Sequence, residues 1–104
     1  MSVRPPDLSK LQHSAEASLD AIGQEILAEK AASLGNAGRK VEAAMEELTR
    51  HGEDAAARPA LVKAAADAVY AYFVQRELCG MRRHDDIIRD HSIPKEVLAR
   101  LGAK

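Results

Sequence analysis

The chain has one cysteine, Cys79, no tryptophan, one phenylalanine, two tyrosines and four prolines among its 104 residues. A lone cysteine forms no internal disulfide, and no Cys and His set stands at zinc-finger spacing. The fold must therefore rest on packing, and a reducing compartment, the cytoplasm, is the default. Nowhere do about 18 apolar residues run together, and the opening Met1-Ser2-Val3-Arg4-Pro5-Pro6-Asp7 has no apolar core of a signal peptide. The expectation is a soluble protein with no membrane segment. An excess of cations is also missing. Lys and Arg number 15 against 16 Asp and Glu, with 6 against 8 through residue 52 and 9 against 8 beyond it. Neither half has the basic footprint of a nucleic-acid binder. No Gly-rich phosphate loop, nucleophile elbow or serine triad pattern occurs, so the sequence assigns no catalytic residue and no cofactor. The chain is read as a non-enzyme.

What the chain does have is small apolar residues at helical spacing. Alanine supplies 20 residues, and Leu, Ile, Val and Phe together supply 22. The length suits one domain, 1–104, with a thin and closely packed core. From about Ser9 to His51 a single stripe runs through Leu11, Ala15, Leu19, Ile22, Ile26, Leu34, Ala37, Val41, Met45 and Leu48. At 100° per residue these side chains stay on about one third of the circumference. Pro5 and Pro6 keep residues 1–8 extended, and a helix over 9–51 is predicted, with Ser9 and Gln12 as one candidate capping box and Ser14 as a second start one turn later. Gly35-Asn36-Ala37-Gly38 has two readings: a cap between two helices, or an interruption-free passage. A loop normally resets the rotational phase, and here the phase is kept, which favours one continuous helix.

His51-Gly52-Glu53-Asp54 ends that helix, and Arg58-Pro59 opens a second one. Leu61, Val62, Ala65, Ala66, Val69, Tyr72, Phe73 and Cys79 form its inner side. Apolar residues on the other side too, such as Tyr70, Val74 and Leu78, predict cover from more than one direction. Phe73, Gly80, His84, Ile87 and His91 fall on one strip, so the helix is predicted over 59–91, followed by a break at Ser92-Ile93-Pro94 and a short helix over 94–101. The fold class is all-α: an antiparallel hairpin of two long helices plus a short C-terminal helix, assembling as a dimeric helical bundle. In an antiparallel register facing residue numbers sum to about 110. That places Arg76 near Leu34 and Tyr72 near Gly38, where the missing side chain admits a ring.

Glu29-Lys30-Ala31-Ala32-Ser33-Leu34-Gly35 with Gly38-Arg39, Gln75-Arg76-Glu77 with Gly80, and Ile93-Pro94-Lys95-Glu96-Val97-Leu98 resemble a family of small uncharacterised all-helical bacterial proteins, a domain of unknown function. The similarity spans about residues 19 to 102. It implies a helical fold and carries over no activity and no functional residue.

Three functional readings compete. The first is a non-catalytic oligomeric protein with a structural or interaction role, a homodimer whose interface uses Tyr70, Tyr72, Phe73, Val74 and Leu78. The second is a DNA-binding accessory protein using 87–101 as a helix-turn-helix. Its last helix would offer only Lys95, Arg100 and Lys104 as cations, beside Asp85, Asp86, Asp90 and Glu96. The third is a metal- or small-ligand-binding bundle built on Glu77, His84 and His91 at seven-residue spacing. The two histidines would lie about 10 Å apart along a helix axis, too far to share an ion, and no Glu-x-x-His pair is present. Arg76 falls inside the apolar strip and must find an acid or reach water. Cys79 reads as a small packed apolar residue.

Overall fold

In the computed structural model the described residues are 8–103, with side chains from residue 12 onward. Residues 1–7 of the segment expected to be extended, the Ser9 side chain of the capping box and the Leu11 side chain lie outside them, while Leu8, also expected to be extended, is already helical. Four helices follow in order: α1 (Leu8–His51), α2 (Arg58–Leu78), α3 (Asp85–Asp90) and α4 (Lys95–Leu98). No described helix is long and apolar enough to cross a membrane. The chain divides into two units, Met1–Ala31 and Ala32–Lys104.

Through Gly35 and Gly38 α1 stays helical, as the unbroken phase of its stripe requires. Within the second unit this stripe is used. Val41 and Leu48 are buried with Val62, Ala65, Ala66 and Val69 of α2 and with Ile93 and Val97 from the C-terminal segment. The fully buried members are valines and alanines, so helices approach closely and little volume is left unfilled. Gly38 faces the Tyr72 ring, and a Cβ built on Gly38 would stand 3.6 Å from three of its atoms. The two long helices therefore pack antiparallel in the register expected. In the first unit the same stripe is bare: Leu19, Ile22 and Ile26 are 67%, 52% and 47% exposed.

A tight turn joins the long helices. The Gly52 amide donates to the Leu48 carbonyl at 2.8 Å, and a Cβ at Gly52 would collide with that same oxygen. Asp54 then shapes the way into α2, its carboxylate accepting from the Ala56 amide at 3.0 Å. Pro59 sits in the first turn of α2, where its missing N–H costs nothing.

The predicted helix over 59–91 is corrected: α2 ends at Leu78 and α3 begins at Asp85. Gly80 has φ +88, the Met81 amide donates to Arg76 O at 2.9 Å and the Gly80 amide to Glu77 O at 3.0 Å. These are the 6→1 and 5→2 bonds of a Schellman cap, which stops a helix whatever the phase of the next apolar residues. The same device closes α3. Ser92 occupies the left-handed position with φ 50, while the Ile93 amide donates to Ile88 O at 2.9 Å and the Ser92 amide to Arg89 O at 3.1 Å. Pro94 then caps α4, which is shorter than the helix predicted over 94–101 and passes into turns that end at Gly102, φ +72. Because a non-glycine residue in the left-handed region is strained by about 1 kcal/mol, Ser92→Gly is expected to raise stability by about that amount. A denaturant midpoint that fails to rise would contradict the cap.

Candidate functional site

The polar residues singled out in the sequence meet where the α2 cap turns the chain. Arg76 sits in the last turn of α2 on the side that faces the core, and it is 8% exposed. Its Nε donates to His84 Nδ1 at 3.2 Å, and its NH2 group donates to the Arg83 carbonyl at 3.0 Å. Asp86 Oδ1 lies 3.8 Å from the same nitrogen, and the guanidinium carbon stands 5.7 Å from the centre of the Tyr72 ring. A guanidinium has several fixed donors and no acceptor, so it can hold a carbonyl and a ring nitrogen of one connector together. The partners expected from sequence were water at an edge, Glu77, or an acid of the first helix or of a second subunit. The connector itself takes that role.

His84 is held on one ring face and at both ring nitrogens. Its ring stacks on Phe73 with centroids 4.1 Å apart and an interplanar angle of 4°. Since Nδ1 accepts from Arg76, the neutral ring carries its proton on Nε2, which lies 3.3 Å from Glu77 Oε1 and donates to it. Arg76, His84 and Glu77 thus form one directed chain of hydrogen bonds within a single chain. In this tautomer both ring nitrogens are engaged and neither offers a lone pair outward, so His84 is not arranged as a metal ligand. Among the described residues no group of three or more His, Cys, Asp or Glu side chains is placed to hold a metal ion. Glu77 and Arg82 line an open hollow of about 290 Å³.

His91 is not part of this cluster. It caps the end of α3, and its ring meets the edge of Tyr72 with centroids 6.4 Å apart and planes at 85°. The five aromatic and apolar interface candidates also separate. Tyr72 and Phe73 are half-buried against Gly38 and His84, whereas Tyr70, Val74 and Leu78 are exposed. Cys79 is half-buried as the cap residue of α2.

Residues 87–101 have the order helix, turn, helix. In α4, however, Val97 is fully buried and Glu96 is held by Arg58, whose Nε and NH2 group donate to Glu96 Oε2 at 3.2 and 2.7 Å. Arg89, Lys95 and Arg100 are the exposed cations of residues 87–101. The Arg58 clamp, which also donates to Gly52 O at 3.1 Å, was not foreseen, because its partners stand 6 and 38 residues away. The Arg58-Pro59 helix start was its only local signal. Hydrogen bonding to Arg58 holds the Glu96 carboxyl below its ordinary value, and the same contact raises Arg58. A carboxylate lowered in this way stabilises the fold above the unfolded value of 4.5, and the contribution is lost as pH falls through the lower folded value. A carbon-detected NMR titration should show Glu96 titrating below the ordinary value of 4.5, and Arg58→Gln should move it back up.

No curated protein and no solved structure matches the chain. A family profile matches all of residues 1–104, so the chain belongs to a family of unknown function (DUF6665).

Proposed function

We propose that this protein is a non-catalytic helical interaction module that works as a homodimer. One observation carries the reading: Leu19, Ile22 and Ile26 stand in a row at helical spacing on α1 and are about half exposed or more. Large aliphatic side chains in a row cost solvation free energy, about 25 cal/mol for each Å² left in water, and removing them needs a partner surface. Tyr70, Val74 and Leu78 add a second exposed strip, at four-residue spacing on α2.

The polar cluster supports a structural assignment over a chemical one. Arg76 and His84 spend their donors and acceptors on each other, on the Arg83 carbonyl and on Glu77. A general base or nucleophile needs a free group aimed at a substrate, and these groups are aimed at the connector. The single cysteine suits a reducing compartment such as the cytoplasm. Light scattering coupled to gel filtration tests the reading. A mass twice that of the chain at micromolar concentration supports it, and the mass of one chain refutes it.

A further inference from the structure

Resting on that reading, we propose that the occupant of the bare α1 face is the same face of a second copy, lying antiparallel. In this arrangement Leu19 packs against the partner subunit's Ile22, and Ala15 against the partner subunit's Ile26. Spacing comes first. Ala15, Leu19, Ile22 and Ile26 recur at intervals of four, three and four, the seam of a two-stranded coiled coil. All four are exposed in the first unit, and Gly23 beside them has no atom within 4 Å of a Cβ built on it, so nothing obstructs a second helix there.

Charge selects the direction. The next seam positions outward are Gln12 and Glu29, both exposed. A parallel, in-register pair stacks Glu29 on its own copy and Gln12 on its own copy, which sets two carboxylates together as they leave water. The antiparallel pair sets Glu29 opposite the partner subunit's Gln12, whose amide donates to the carboxylate. Parallel pairing would gain one exposed contact on each side, Glu25 against the partner subunit's Lys30. Contacts of that exposed kind contribute little, so the seam decides. Volume agrees with charge. Antiparallel layers pair Ala with Ile and Leu with Ile, whereas parallel layers put the two alanines together and leave one end thin. Of the antiparallel registers that keep seam opposite seam, this one alone sets all four apolar residues against each other.

Cysteine cross-linking reads this arrangement directly. Ala15→Cys and Ile26→Cys are made separately in a Cys79→Ser background, then oxidised alone and after mixing. A disulfide forms only where two Cβ atoms come within about 4.5 Å. The expected result is a cross-linked dimer in the mixture, at most about the half of chains that random exchange places in mixed dimers, and background levels for each variant alone. Cross-linking of either variant alone would show parallel pairing and overturn the proposal. A dimer by light scattering with no cross-link in any sample would place the interface elsewhere and overturn it while leaving the homodimer standing. A monomeric protein would remove both.

Discussion

Gly38→Leu is expected to lower the free energy of unfolding by about 3 kcal/mol, while Gly38→Ala leaves it unchanged or raises it. The difference follows from one distance. A Cβ at Gly38 stands 3.6 Å from the Tyr72 ring, an ordinary van der Waals separation, so a methyl group fits. The rest of a leucine side chain has to enter space the ring already fills. Tyr72 cannot retreat freely, since its edge meets His91 and its face lies below Arg76. Alanine also removes the cost of about 1 kcal/mol that an interior glycine places on a helix. Urea unfolding of the two variants beside wild type measures both effects. Equal stability of Gly38→Leu and wild type would mean that this register of α1 and α2 is wrong.

Arg76→Met comes next, with an expected loss of about 2–3 kcal/mol. Methionine retains most of the apolar stem but leaves His84 Nδ1 and the Arg83 carbonyl without a donor. Arg76→Lys should recover only part of the loss, because an ammonium on a flexible stem lacks the fixed fork that spans both acceptors. Hydrogen exchange adds a readout that simple destabilisation does not imply. Amides of the connector between α2 and α3 should exchange faster in Arg76→Met under conditions where α2 itself stays protected. By contrast Lys63→Met, which removes an exposed helix pair with Asp67, should change stability by less than about 0.5 kcal/mol.

The long first helix was legible because phase is a property of many residues at once. Leu34, Ala37, Val41 and Met45 could continue the stripe of Leu19, Ile22 and Ile26 only if the backbone between them kept its pitch. At Gly80 the backbone does not follow the phase. There Phe73, His84, Ile87 and His91 share a strip by number, yet the chain turns at a left-handed glycine. What distinguishes Gly35 from Gly80 is the anchoring of the following segment. Arg76 holds the Arg83 carbonyl and the His84 ring, contacts made by a side chain seven and eight residues back, and no periodicity reports them. Glu77 and His84 meet through a cap and connector and not through two turns of one helix. Arg58 and Glu96 meet across the unit and could be found only once α4 was placed. Periodicity set Tyr72 and Phe73 on the inner side of α2 and Tyr70, Val74 and Leu78 on the other, and their burial follows that division.

The central claim is that the exposed apolar row on α1 is a self-association face, and one comparison tests it most directly. Ile22→Asp and Val74→Asp place the same charge on the two exposed strips, and circular dichroism checks that both variants keep their helix content. At a concentration where wild type scatters light as a dimer, the account predicts that Ile22→Asp has the mass of one chain and Val74→Asp the mass of two. A dimeric Ile22→Asp, or loss of the dimer only in Val74→Asp, would contradict it.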